Sequence, residues 1–303
     1  MRHLAQTAIL LACFSITATA AWAQDGPATT PTNIAELIPE GGLQKMDFFL
    51  LMEEGNFDGP DATFIRWQIE AVDEGLALSI NNTSPGEEGF THMQQMVFSP
   101  DGKLKRCSSL MRGGGTFENR ATGTVEGDTL TVVNTNKDPG LDGLGGIPAD
   151  NTDTIDLSAY DDVIPTAAMP LAIGYHLREE TLAFEIRMAD YGGRYGTQVM
   201  VFEDIGTEMM DVQGKQERVH VLVGKMSFEI AENDGPNVQV EGPDEQVMHL
   251  RCLPSGEIVQ MKMVMEGLGD AATMTAQSVP EAEIRERFGD AAVDGAAPGE
   301  EAD

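Results

Sequence analysis

Methionine is the residue whose placement could carry chemistry in this chain. Seventeen occur in 303 residues; Met248, Met261, Met263 and Met265 fall in one stretch of twenty, and Met188, Met200, Met209, Met210 and Met226 lie in the same half. A thioether is soft, polarisable and flexible. It can fill gaps in a core, line a deformable pocket for an acyl chain, or hold Cu(I). Met261, Met263 and Met265 share one face at strand spacing, as a soft-metal site would need. His249, the nearest nitrogen donor, falls by parity on the opposite face of its strand from Met248, which counts against copper. The pocket reading takes as its lining Phe49, Trp67, Leu182, Phe184, Met188, Met248, Leu250, Met261, Met263 and Met265. No metal site is assigned.

Other reactive groups are scattered. His92, His176, His220 and His249 form no His-x-x-x-His pair, and no Gly-x-Ser-x-Gly elbow occurs. Gly143-Leu144-Gly145-Gly146 stops short of a dinucleotide fingerprint, because Pro148 stands where the third glycine belongs and no βαβ unit surrounds it. Asp138, Asp142, Asp150, Asp153, Asp156, Asp161 and Asp162 could offer oxygen ligands to calcium. They lack EF-hand spacing and read as a solvated acidic connector. No catalytic residue and no cofactor is assigned, so the chain reads as a non-enzyme.

The first residues set the expected compartment. Arg2 and His3 precede the apolar run Leu4 to Ala20, which ends in Ala21-Trp22-Ala23. This is the layout of a signal peptide, residues 1–23, cleaved after Ala23. A rival reading takes Leu10-Leu11-Ala12-Cys13 as a lipoprotein box with Cys13 lipidated. No later run reaches the roughly 18 apolar residues of a spanning helix, so a periplasmic or secreted protein without a mature transmembrane segment is expected. There Cys107 and Cys252 are a candidate disulfide pair, against the alternative of two buried thiols. The 19 Lys and Arg against 50 Asp and Glu, a net charge of −31, exclude nucleic acid and anionic lipid surfaces as electrostatic partners.

The elements that must position these residues are mostly strands. Between Gln246 and Met265, Met248, Leu250 and Cys252 alternate with His249 and Arg251. The chain turns at Leu253-Pro254-Ser255-Gly256-Glu257, and Val259, Met261, Met263 and Met265 alternate again. That is an antiparallel hairpin. Similar alternation runs through 62–134 and 181–278, two meander halves joined by a Gly and Asp rich, then helical, connector 135–180 in which Val163 to Tyr175 reads as a broken helix. Phe98-Ser99-Pro100-Asp101-Gly102-Lys103-Leu104 matches Cys252-Leu253-Pro254-Ser255-Gly256-Glu257-Ile258 in kind, as a duplicated meander or two convergent turns would. Residues 24–42 read as a flexible leader with one helical turn at Asn33 to Ile38. Leu43 to Glu54 reads as an apolar helix, because Leu43, Met46, Phe49 and Leu50 recur at spacings of three and four. Pro280 to Phe288 reads as a short helix, and 289–303 as a disordered acidic tail. The predicted fold is mainly β: a curved antiparallel meander of 11 to 13 strands over residues 43–288, with an apolar N-terminal helix and a mid-chain helical segment.

This order of elements resembles the half-barrel of bacterial lipoprotein-localisation carriers and their uncharacterised periplasmic relatives. The resemblance implies a curved sheet wrapped around helices and enclosing an apolar pocket. The basic surface and membrane-inserting loop of the carriers have no counterpart in the sequence. The expected function is that of an exported soluble binding protein holding a lipid-like ligand in the concave face. The alternative is a structural or interaction protein of the envelope, with a filled core and another envelope protein as partner, and the third reading is Cu(I) binding.

Overall fold

The structure, a computed structural model, describes residues 26–54, 63–84, 90–113, 117–136, 151–189, 197–229, 246–265 and 272–293. The predicted signal peptide, residues 230–245 of the second meander half, and Asp138, Asp142 and Asp150 of the acidic connector lie outside these residues.

Alternation and Pro/Gly turns produce what they predict, a sheet of strands antiparallel throughout except at Ala28–Thr29, which pairs parallel with Phe184 and Glu185. In chain order these are β1 (Ala28–Thr29), β2 (Met46–Glu54), β3 (Thr63–Val72), β4 (Gly75–Ser84), β5 (Phe90–Phe98), β6 (Leu104–Gly113), β7 (Phe117–Glu126), β8 (Thr129–Asn136) and β9 (Asn151–Asp156). They continue with β10 (Ala183–Met188), β11 (Thr197–Val212), β12 (Lys215–Glu229), β13 (Gln246–Cys252), β14 (Ile258–Met265) and β15 (Ala272–Val279). All fifteen join one sheet in the order β1-β10-β11-β12-β13-β14-β15-β2-β3-β4-β5-β6-β7-β8-β9, which exceeds the 11 to 13 expected. Helix α1 is Met169–Arg178, α2 is Glu281–Phe288 and α3 is Asp290–Val293. Both the mid-chain helical segment and the short C-terminal helix stand where the sequence places them.

The two meander halves are one sheet because β15 pairs with β2, Val279 opposite Phe49 and Ala276 opposite Met52. Side chains from β2 to β8 and from β10 to β15 share a single buried cluster with α1. Fifteen flat strands at about 4.8 Å spacing would spread nearly 70 Å, so a common core requires the sheet to curl. Beyond β9 the chain also returns to the opposite edge: Ile164 bridges Met188, its amide donating to the Arg187 carbonyl at 2.9 Å.

Three expectations are corrected. The predicted helix Leu43 to Glu54 is strand β2. Phe48, Leu50 and Met52 face the inner core, while Phe49 and Leu51 face an outer cluster with Phe64, Ile284 and Val293. A strand covered on both sides loses its alternation, and a continuous apolar run imitates helical spacing. The flexible leader is instead packed. Ala28–Thr29 pairs parallel with β10, and the predicted helical turn appears as a 3-10 turn, Ile34–Leu37, capped by Asn33 Oδ1 on the Ala35 amide at 3.0 Å. Ile34 and Leu37 are buried in the inner core, which orders a segment whose composition alone would not. The acidic tail begins with α3, whose Val293 is buried; residues 294–303 lie outside the described set.

The outer cluster is held by charge as well as by burial. Arg66 donates to both oxygens of Asp47 at 2.9 and 3.0 Å, lies 4.9 Å over the Phe49 ring, and caps α3 through the Val293 carbonyl at 3.1 Å. Burial alone would raise the Asp47 carboxyl, but the Arg66 hydrogen bonds and charge outweigh it and hold the group below its ordinary value. Ile284 is the fully buried apolar anchor of α2. Ile284→Ala is expected to cost about 2 kcal/mol, read as a lower urea midpoint with an unchanged slope.

Candidate functional site

The interior has two unlike ends. At one, short described turns join the strands: β3 to β4, β5 to β6, β7 to β8, β11 to β12, and β13 to β14. Here α1 plugs the sheet, with Met169 to Gly174 buried without exception. The helix seats on the β13–β14 turn because neither partner has a side chain at the contact. A Cβ on Gly256 would strike the Pro170 carbonyl oxygen, and one on Gly174 the Ser255 carbonyl oxygen. The matching β5–β6 turn receives the 3-10 turn in the same way, Gly102 lying against Asn33. The two turns predicted to be alike also share their bonding: Ser99 N to Lys103 O at 2.8 Å, and Leu253 N to Glu257 O at 2.9 Å.

His176 is the polar group of the plug. It is 1 % exposed, stacked 4.3 Å from the Phe184 ring. The Thr30 hydroxyl donates to the Glu185 carbonyl at 2.6 Å, so its oxygen accepts from His176 Nε2–H at 2.9 Å. Nδ1 therefore carries the lone pair and is buried without a partner. Burial pushes the imidazole down to about 4.

Most of the predicted pocket residues do meet on the inner face. Trp67, Phe184, Met188, Met248, Leu250 and Met261 are buried in the inner cluster, and Met263 packs against it. Two do not join them: Phe49 faces the outer cluster under α2, and Leu182 is 68 % exposed just before β10. Met265 is described by its backbone, opposite Gln246 and Ala272. Phe184 lies against the plug, so that end of the predicted trough is filled by the chain itself.

The methionines concentrate toward the other end, where β2, β10, β12 and β14 finish and β11, β13 and β15 begin. Met248, Met263 and Met274 are directly opposed across β13, β14 and β15, and Met200 opposes Met226 across β11 and β12. Met52 and Met188 take inner positions near the same ends of β2 and β10. The other wall is polar, a feature that sequence reading missed. One row runs Asn82, His92, Met111, Asn119, Asn136 across β4 to β8; the next runs Trp67, Ile80, Gln94, Ser109, Ala121, Asn134 across β3 to β8. Trp67 is 3 % exposed and Asn119 is 9 % exposed, and Trp67 Nε1, Asn82 Oδ1 and Asn119 Nδ2 are buried atoms without a hydrogen-bond partner.

Two further constellations lie apart from these walls, the first on the inner face toward α1. His220 Nδ1 lies 2.8 Å from Asp204 Oδ2, and Cys252 is directly opposite His220. These are residue types of a nucleophilic triad, but Cys252 is fully buried, and burial followed by the Asp204 charge pushes its thiol far up, which keeps it protonated. On the outer face, Ile205, Thr207, Glu208, His249, Arg251 and Lys262 line an open cleft of about 530 Å³. Arg251 is occupied there by Glu208 and by Gln260 Oε1. His249 lies on the other face of β13 from Met248, as parity predicts.

The disulfide expectation is not met. Cys107 and Cys252 are both free; each faces the inner core, but they sit on β6 and β13 with six strands between them in the sheet order. Burial raises the Cys107 thiol to about 11. Among the described residues no group of three or more His, Cys, Asp or Glu could hold a metal ion, and no helix is long and apolar enough to cross a membrane.

Fold and site thus define a class: a mainly β chain whose single curled, almost wholly antiparallel sheet closes on a helix at one end and carries, toward the other, methionines on β10 to β15 and β2 and amides on β4 to β8. Neither a family model nor a curated protein matches the chain. Among solved structures it is similar to a β-barrel-like protein of domain of unknown function DUF1849 from Brucella abortus, with 11% identity over 78% of this chain and 95% of that one, at a TM-score of 0.48.

Proposed function

We propose that this chain is an exported, non-catalytic binding protein that holds an amphiphilic, lipid-like ligand between its methionine and amide walls. The observation that carries the reading is the set of three buried polar atoms without partners, on Trp67, Asn82 and Asn119. Folded proteins satisfy more than about nine in ten such atoms, and leaving one unmet costs about 1–3 kcal/mol. A ligand head group, or water held with it, would satisfy them. The facing thioethers adapt to a chain of variable shape. The test is native mass spectrometry of protein purified from a membrane-containing lysate. A mass excess that organic extraction removes is expected, and a mass equal to that of the polypeptide alone would overturn the reading.

A second reading has its own support in the plug. An interior filled throughout by its own side chains would make this an envelope interaction protein with no small ligand. It gives the bare mass in the same measurement.

A further inference from the structure

We infer that the ligand of this interior is an amphiphile whose head group is uncharged and rich in hydrogen-bond donors and acceptors, as in a monoacylglycerol. The inference rests on the ligand-holding reading above and adds the chemical class. Its basis is the charge pattern of the sheet. Toward the end away from α1, no Lys or Arg among the described residues takes an inner-face position. The polar groups of the two rows include Asn82, His92, Gln94, Ser109, Asn119 and Asn134, whose amides, imidazole and hydroxyl both donate and accept.

Five arginines of the sheet stand on its other face, each paired with a carboxylate. Arg66 pairs with Asp47, Arg106 with Glu74, Arg112 and Arg120 with Glu118, and Arg187 with Asp162. A carboxylate or phosphate brought inside would lose its hydration and meet no countercharge, a cost of several kcal/mol. A cationic head would meet amides in these rows and no carboxylate. A neutral head can instead use Trp67 Nε1–H and Asn119 Nδ2–H as donors and Asn82 Oδ1 as an acceptor.

The experiment is displacement of a neutral apolar fluorophore, N-phenyl-1-naphthylamine, from the full-length protein at pH 8. The competitors are monoolein, oleate and oleylamine, three heads on one chain, each below its critical micelle concentration. Monoolein is expected to displace the probe at a concentration at least tenfold lower than either charged competitor. In Asn82→Leu with Asn119→Leu, that advantage is expected to fall below threefold while the probe still binds. Equal or better displacement by oleate or oleylamine overturns the head-group assignment. So does an advantage that survives the double substitution. Should the substituted protein fail to fold, the wild-type ranking decides alone. Failure of the probe itself to bind removes the ligand-holding reading and this inference with it. Probe binding without head-group preference removes only the second.

Discussion

Gly256→Ala should destabilise the protein by about 4 kcal/mol, within the range reserved for backbone conflicts in a packed core. Two effects add. Gly256 has φ +93°, which a residue with a Cβ adopts at a cost of about 1–2 kcal/mol. The new methyl would also meet the Pro170 carbonyl oxygen and the amide nitrogen of Gly174, both main-chain atoms of α1 that no rotamer change can withdraw. The helix must then lift from the β13–β14 turn and uncover Leu171 and Ile173, which are fully buried. Gly214→Ala is the control: it has φ +83° but open space around its Cβ, so it should lose only about 1 kcal/mol. Urea unfolding of both variants measures the difference. Equal losses would mean that α1 does not seat on this turn.

The second large effect is a loss of stability in mild acid traceable to His176. Its imidazole titrates near 4 when folded and near 6.5 in the unfolded chain. Below pH 6.5 the unfolded state takes up a proton that the folded state refuses. The stabilisation from keeping this group neutral is therefore complete above pH 6.5 and disappears as the pH falls toward 4. The span corresponds to about 3 kcal/mol at 1.4 kcal/mol per unit. His176→Phe keeps a ring against Phe184 and removes the titration. The variant gives up the Thr30 bond at every pH, but its unfolding free energy should fall less steeply between pH 6.5 and 4 than that of the wild type. Parallel curves would show that His176 opens to water before it protonates. Carboxylates such as Asp47 act lower in pH and are common to both proteins.

How much of this was legible varies with the kind of neighbour each segment has. The hairpin Gln246 to Met265 could be read outright, because one face of each strand is dry and Pro254 and Gly256 mark the turn. The sides taken by Met248, Leu250, Met261 and His249 followed from parity alone. β2 could not be read, since the layer of Phe64, Ile284 and Val293 that covers its second face comes from distant sequence. The leader failed for the same reason: Ile34 and Leu37 are too few to form a pattern, and their order comes from the inner core. At the candidate site the methionine wall was visible and the amide wall was not. Asn82, Gln94, Ser109 and Asn119 occupy positions that alternation assigns to one face, but polar residues there read as solvent-facing. Only the strand registers reveal that they look inward. Nor could sequence show which end is closed, which depends on two glycines more than eighty residues apart, Gly174 and Gly256, meeting without side chains.

The pairing of β15 with β2 also governs the order in which the molecule can be assembled. A chain emerging with its N-terminus first can zip β2 through β8 into a ladder early, since those hairpins are local. The other flank of β2, with Leu50 and Leu51 on its two sides, stays without a hydrogen-bonding neighbour until Ser278 and Val279 arrive. Closing a pairing so remote in sequence is slow. A long-lived bare strand edge in the interval invites association between chains, so a holdase that shields residues 46–54 would raise the yield of native protein more than one that binds any later strand.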